Sequence, residues 1–444
     1  MMHEVLAQSV FAARRTQLFE QLPEGAAVAL YAAEPALRNN DVYYPYRQDS
    51  YFWYLTGFPE GSAIAVLTRK NSKVHYTLFS APRNPDKEIW EGKIIGQQGA
   101  IDRYGADEAY SIDEADKISD MLADCSRIYT VLGVHEKHDQ RITALLRDIH
   151  QKTGRGGAPI DAVADLRRIV DEQRMIKSAE EQKLLHRAGQ ISAAGHRAAM
   201  LASRPGAYEY EVQAALEGEF RRQACHWSFN TIVAGGANAC CLHYTTNQAP
   251  LNDGELLMVD AGAEYAGYAG DISRTHPING RFTRDQQALY EIVLAAQTAA
   301  IDAARPGIRH LELHTQTRRY LMQGMIDEGI ISGSLDYWLE ENRFMQFFMH
   351  GTGHWLGLDV HDVGVYKPEG QSREYRPGMV VTIEPGLYIQ PDDTSVDVRW
   401  RGIGIRIEDD VIITNSAPDV TTADVPKTVA EIEALLKTCD KRCS

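Results

Sequence analysis

One pattern is written twice in the second half of this 444-residue chain, and a chain that carries it has few ways to fold. Ser178-Ala-Glu-Glu181 is a capping box ahead of a long periodic segment that stops at Arg204-Pro205-Gly206. A second helical segment follows from about Tyr208 to Ala224. Thr283-Arg-Asp-Gln286 opens the same arrangement again; that helix stops at Arg305-Pro306-Gly307, and another runs to about Glu328. A strand ending in an acid goes with each helix pair. Asp253-Gly254 precedes an apolar run that reaches Asp260, and Pro377-Gly378 precedes one that reaches Glu384. A second acidic strand lies downstream in each case, at Asp271 and at Glu408. The chain therefore reads as an internal duplication with a carboxylate pair in each half.

These acids differ from ordinary surface acids. Ala266-Gly267 makes a plausible two-residue hairpin turn. With that turn Tyr265 pairs with Tyr268 and Asp260 faces Ser273, so Asp260 and Asp271 lie diagonally on one face beside small neighbours. In Ile403 to Val411, Ile403, Ile405 and Ile407 face one way; Gly404, Arg406, Glu408 and Asp410 face the other. Glu384 ends a run of Val, Thr and Ile, where a lone buried carboxylate is costly unless a cation or hydrogen bonds answer it. Any one of these acids alone reads best as a solvated strand end; two matched pairs do not.

Three of the 15 histidines, His350, His354 and His361, fall in one glycine-interrupted stretch, expected to be a loop or irregular strand. His243 shortly precedes the first acidic strand, whereas His135, His138 and His150 read as surface residues. Four carboxylates and an imidazole (Asp260, Asp271, Glu384, Glu408 and His354) suit two hard or borderline divalent ions such as Mn²⁺, Co²⁺, Zn²⁺ or Fe²⁺. Two ions roughly 3.5 Å apart share bridging carboxylates and hold a bridging hydroxide for attack on a carbonyl. That chemistry is amide hydrolysis, with the other histidines and Arg406 supplying proton transfer and hydrogen bonds.

The first part of the chain reads as mixed α/β. Ala26 to Ala32, the aromatic-rich Tyr51 to Thr56, Ala63 to Thr68 and Val74 to Phe79 are strand candidates. Gly154 to Pro159 reads as a glycine-rich loop and Asp161 to Lys177 as a charged helical connector, so the expected domains are 1–173 and 174–444. A formal charge of −15 argues against a nucleic-acid partner. No stretch approaches the roughly 20 apolar residues of a membrane span, and no signal peptide is evident. Six cysteines without a Cys-x-x-Cys or a plausible disulfide framework fit reduced thiols in a cytoplasmic protein.

The set Asp260, Asp271, His354, Glu384, Glu408 resembles that of the pita-bread metallopeptidases, which include methionine aminopeptidase, prolidase and Xaa-Pro aminopeptidase. Asn230-Thr-Ile-Val, Leu242-His-Tyr-Thr, Gly267-Tyr-Ala-Gly-Asp271-Ile, His354-Trp-Leu-Gly-Leu-Asp-Val-His361-Asp, Thr382-Ile-Glu-Pro-Gly-Leu-Tyr388 and Arg401-Gly-Ile-Gly-Ile-Arg-Ile-Glu408 resemble the aminopeptidase P group. Tyr44-Pro-Tyr-Arg-Gln-Asp-Ser-Tyr-Phe-Trp-Tyr-Leu-Thr-Gly57 is similar to that group's N-terminal domain. The resemblance implies an RNase H-like, creatinase-type N-terminal domain and an α+β pita-bread catalytic domain with a pseudo-twofold repeat. It implies two metal ions, manganese in the active form, and removal of the residue preceding proline from a peptide N-terminus. Asp260 would bind one ion, Asp271 and Glu408 both, and His354 the second, with Glu384 binding it and moving the proton. His243 and His361 would contact substrate, His350 would line the proline pocket, Arg406 would orient carboxylates, and Trp90 and Tyr388 would be pocket walls. A homodimer or homotetramer is also implied. The loop strings Gly351-Thr-Gly-His354 and Ala239-Cys-Cys241-Leu-His243 depart from the group's pattern and bear on substrate range.

Three other readings stand beside this one. A prolidase restricted to Xaa-Pro dipeptides needs a cation for the substrate carboxylate. A metal-free enzyme resembling creatinase lacks ligands that are all present here. A non-catalytic pita-bread binding module usually loses them too.

Overall fold

The computed structural model describes residues 6–154 and 160–440, so Cys443 and all of the 154–159 stretch after Gly154 lie outside the described residues. Two compact units divide the chain, Met2–Gln173 and Arg174–Ser444.

The first unit is built on a six-stranded mixed sheet. Ala26–Tyr31 runs antiparallel to Ile64–Lys70 and parallel to Arg127–Thr130. It is buried along its whole length, as a strand covered on both faces must be. Lys73–Ser80 and Glu108–Ser111 extend the sheet on one side and Ala162–Asp165 on the other. Tyr51 to Thr56, a strand candidate by composition, lies instead in the helix Ser50–Thr56. Its aromatic residues suit either state, and the ends decide. The Asp49 carboxylate accepts from Phe52 N at 2.8 Å, and Gly57 closes the helix at φ 65°. The expected connector 161–177 begins as the edge strand Ala162–Asp165 before the helix Arg167–Met175. His138 is buried rather than at the surface, because its ring stacks on Tyr31 with centroids 5.0 Å apart.

The second unit contains both copies of the repeat. Ala179–Ala202 and Glu209–Arg222 form the first helix pair, Arg284–Ala303 and His310–Asp327 the second. Both capping boxes form: Ser178 Oγ accepts from Glu181 N at 3.3 Å, and Thr283 Oγ1 accepts from Gln286 N at 3.2 Å. The first half pairs Ile232–Gly235, Leu256–Ala261 and Ile272–Pro277 in one antiparallel sheet. The second half pairs Val380–Ile383 with Asp409–Ile412, and Gly386–Ile389 with Ile403–Arg406. The run Ile403 to Val411 is thus two strands, broken at Ile407 and Glu408. Its alternation survives the break, because Ile405 and Ile407 both enter the apolar core.

The turn expected at Ala266-Gly267 is present, with φ of 52° and 88°. It sets the register Tyr265 to Tyr268 and Asp260 to Ser273. The same register logic holds in the other half, where Ile383 pairs with Asp409 and so brings Glu384 level with Glu408.

Two buried histidines tie the first helix pair to the first sheet. His196 Nε2 donates to Ala261 O at 3.0 Å, and His276 Nε2 lies 2.9 Å from Ser203 Oγ. Burial pushes their pKa values down to about 4 and about 3. Both stay neutral in the folded chain, whereas unfolded histidine takes up its proton near 6.5. Their contribution is therefore complete above about pH 6.5 and is lost as pH falls toward the folded values. We expect metal-free protein melted at pH 7, 6 and 5 to lose up to about 1.4 kcal/mol per pH unit from each histidine. Because the raised carboxylates Asp271 and Glu408 act with the opposite sign, the reading is the difference: the stability gap between wild type and His276→Asn should shift against wild type as pH falls over that range. Equal slopes would refute the assignment.

Candidate metal centre

Four carboxylates converge on the second unit's cavity from four strand ends. Asp260 closes Leu256–Ala261 and Asp271 precedes Ile272–Pro277, while Glu384 follows Val380–Ile383 and Glu408 precedes Asp409–Ile412. Asp271, Glu408 and His354 each offer a ligand atom within 4.8 Å of the others. His354 Nε2 lies 3.5 Å from Asp271 Oδ2 and 3.7 Å from Glu384 Oε1. The loop that carries His354 is pinned to the strand bearing Glu384: Thr382 N donates to His354 O at 2.9 Å and Glu384 N to Thr352 O at 2.8 Å. That approach requires Gly353, since a Cβ there would sit 1.8 Å from Thr382 O.

Hydrogen bonding fixes how the imidazole is used. His354 Nδ1 lies 3.0 Å from Trp355 O, which can only accept, so the proton is on Nδ1. The Nε2 lone pair then faces carboxylate oxygens, an arrangement of acceptors that calls for a cation between them. Asp260 Oδ1 and Asp271 Oδ1 are buried without a hydrogen-bond partner, which points the same way. Burial and then neighbouring carboxylates push Asp271 and Glu408 far above the usual carboxylate range; Glu384 is also raised, chiefly by burial. Like charges this close cannot all stay ionised without positive charge among them. Oxygen-rich donors with one imidazole fit a divalent ion of the Mn²⁺ to Zn²⁺ series.

Behind the carboxylates runs a directed hydrogen-bond network. Arg406 Nη2 donates to Asp260 Oδ2 at 2.7 Å, Nε to Ser273 Oγ at 2.8 Å and Nη1 to Tyr388 OH at 2.9 Å. The Ser273 hydroxyl donates to Glu408 Oε2 at 2.8 Å. Tyr388 OH donates to His350 Nε2 at 2.8 Å, because His350 Nδ1 must donate to Gly351 O at 2.8 Å. Burial, then Arg406, holds the His350 pKa down to about 3, so it presents a neutral ring to the cavity.

The cavity holds about 500 Å³ and is lined by Asp260, Asp271, His354, Glu384 and Glu408 together with His243, His350, His361 and Arg406. All nine were candidates from the sequence. His361 stands beside His354, ring centroids 4.4 Å apart. Tyr388 is fully buried behind His350 and Arg406. Trp90 belongs to the first unit, where it is 88% exposed on the helix Pro85–Glu91. The apolar wall comes from Phe229, Ile232, Leu242 and Val360. Phe344 and Phe348, just ahead of the histidine loop, are packed in the core. Phe229 had no signal beyond its place just before Asn230-Thr-Ile-Val. Ser273 was visible as Asp260's partner across the hairpin, though not as the link to Glu408.

Comparison with known proteins agrees with this geometry. The model of metallopeptidase family M24 matches residues 183–415, and that of the aminopeptidase P N-terminal domain matches residues 11–129. A Xaa-Pro aminopeptidase of Haemophilus influenzae is 42% identical over 433 residues, covering 97% of this chain and 98% of that protein. The structure of Pseudomonas aeruginosa aminopeptidase PepP superposes with a TM-score of 0.96 at 43% identity, covering 99% of this chain and 100% of the other. Zinc-substituted E. coli aminopeptidase P in complex with product gives a TM-score of 0.94 at 42% identity, covering 98% and 99%.

Proposed function

We propose that this chain, which belongs to metallopeptidase family M24, is a metal-dependent Xaa-Pro aminopeptidase that removes the first residue from peptides with proline second. The observation that carries the reading is the set of buried, mutually repelling carboxylates facing the His354 lone pair on the floor of a peptide-sized cavity.

Asp260, Asp271, His354, Glu384 and Glu408 would hold two ions, with Asp271 and Glu408 shared. When bound, divalent ions supply Lewis-acid polarisation of the scissile carbonyl and ionisation of water near neutral pH. We infer manganese as the working ion, because a donor set dominated by oxygen suits it.

The chain's own residues do the rest. Glu384 Oε1 accepts from Thr382 Oγ1 at 3.3 Å, which aims the carboxylate. So aimed, the carboxylate is placed to take a proton from the attacking water. It then returns that proton to the proline nitrogen as the C–N bond breaks, leaving the released residue as a carboxylate. A tertiary amide nitrogen is a poor leaving group until protonated, so this return is the demanding half. His243 and His361 stand on the cavity wall to donate to the carbonyl oxygen as charge develops there. Arg406 fixes Asp260 directly and Glu408 through Ser273. The Xaa-Pro bond offers no N–H, so the pocket has to read the ring by shape. The neutral ring of His350 with Phe229, Leu242 and Val360 supplies an apolar face for it.

The free thiols of Cys125, Cys225, Cys240 and Cys241 support a reducing, cytoplasmic setting, and among the described residues no helix is long and apolar enough to cross a membrane. Exposed Ile89, Trp90, Tyr43 and Tyr44 on the first unit support self-association as a homodimer or homotetramer.

The test is hydrolysis of Xaa-Pro-Yaa tripeptides with added Mn²⁺. Release of free Xaa, leaving Pro-Yaa, is expected. Cleavage of Xaa-Pro dipeptides alone would replace this reading with a dipeptidase, and hydrolysis of neither would favour a non-catalytic module.

A further inference from the structure

A buried ionic cluster lies directly beneath the loop that presents His361, outside the set of ligands. Arg174 Nη2 donates to Asp359 Oδ2 at 2.7 Å and to Asp362 Oδ1 at 2.6 Å. Lys177 Nζ donates to Asp362 Oδ2 at 2.8 Å. The Arg174 side chain is 2% exposed, and those of Lys177 and Asp362 are 1% exposed. Burial alone would raise the Asp362 pKa, yet Lys177 and Arg174 hold it below the usual carboxylate range.

The cluster bears on one short stretch of backbone. Asp362 N donates to Trp355 O at 2.8 Å and Gly357 N to Asp359 O at 3.1 Å, so residues 355–362 close on themselves. Lys177 N donates to Gly378 O at 2.8 Å, which seats the cations against the start of the strand leading to Glu384. The fit is tight: a Cβ on Gly357 would lie 2.2 Å from Asp362 Oδ2 and 2.9 Å from Lys177 Cε. His361, next to Asp362, lines the cavity, and its ring makes no hydrogen bond among the described residues. Its direction is set by the His354 ring on one side and by the anchored backbone of Asp362 on the other.

A buried ion cluster is a poor way to gain stability, since desolvation offsets most of its attraction. It is a good way to fix one register, because misplacing it strands a charge. We propose that Arg174 and Lys177 are positioning residues for the hydrolysis, acting through Asp362 to hold His361 at the angle the reaction uses; this rests on the aminopeptidase reading above. The cations lie far from His361 in sequence, in a segment that carries no ligand. A small misplacement of a catalytic group lowers turnover without removing the pocket.

The experiment is a double-mutant cycle on Xaa-Pro-Yaa hydrolysis. It uses Lys177→Met, His361→Ala and the pair, with metal content and melting temperature measured on each. Lys177→Met is expected to lower kcat roughly tenfold or more with KM within about twofold and metal content unchanged. In the His361→Ala background the same substitution should cost less than about twofold, because the group it positions is gone. Arg174→Lys, which keeps the charge and loses the forked reach, serves in the same cycle should Lys177→Met fail to fold. A loss of equal size in both backgrounds would overturn the proposal and leave the cluster a purely structural one. Absence of hydrolysis by the wild type would overturn the aminopeptidase reading instead, and this inference with it.

Discussion

Glu384→Gln is expected to lower kcat by roughly two to four orders of magnitude, the usual contribution of a positioned acid–base group, while leaving the fold in place. The substitution is nearly isosteric. Glutamine Oε1 can still accept from Thr382 Oγ1, and the backbone bond from Glu384 N to Thr352 O is untouched. What disappears is the ability to take a proton from water and return it to the proline nitrogen. It also removes a negative charge from a crowded set, so the metal-free variant should melt no lower than wild type. The measurement is steady-state turnover of a tripeptide alongside bound-metal analysis. Near wild-type turnover would remove Glu384 from the proton-transfer role. Lost turnover with metal content also lost would make its role that of a ligand alone.

Stripping divalent ions with a chelator is expected to abolish activity to background, with recovery on adding Mn²⁺. The cavity floor holds Asp271, Glu384 and Glu408 at raised pKa, opposite an imidazole whose lone pair already points at them. Without cations these groups have no way to polarise a carbonyl, and Arg406 is fully engaged with Asp260, Ser273 and Tyr388. The stripped protein should also melt lower than the loaded one, because ions that bind only the folded chain stabilise it by mass action. Full turnover after exhaustive chelation would sink the metal-dependent mechanism.

The ligand-bearing strands were legible because their information is local and repeated. Glycine, apolar run and acid recur at one spacing, and the Ala266-Gly267 turn fixes a register that can be counted on paper. The histidine loop was legible from its glycines. Other features depend on contacts between distant segments, and no pattern within either segment announces them. Ser273 reaches Glu408, 135 positions away. Lys177 reaches Asp362 across 185. Phe229 joins the cavity wall only because the strand that follows it, Ile232–Gly235, is laid against Leu256–Ala261. Tyr51 to Thr56 differs for another reason: aromatic composition suits strand and helix alike, and the Asp49 cap and Gly57 stop that decide for helix lie outside the run.

The crowding of acids at this site also makes it an exchanger. With Asp271 and Glu408 held well above the usual carboxylate range, the metal-free protein keeps protons that loaded protein has to give up. Filling the centre therefore acidifies the surroundings, and the heat recorded on titrating the ion will change with the ionisation enthalpy of the buffer. Apparent affinity should fall steeply as the medium turns acid. A cell that lets its pH drift downward would loosen this enzyme's hold on its metal.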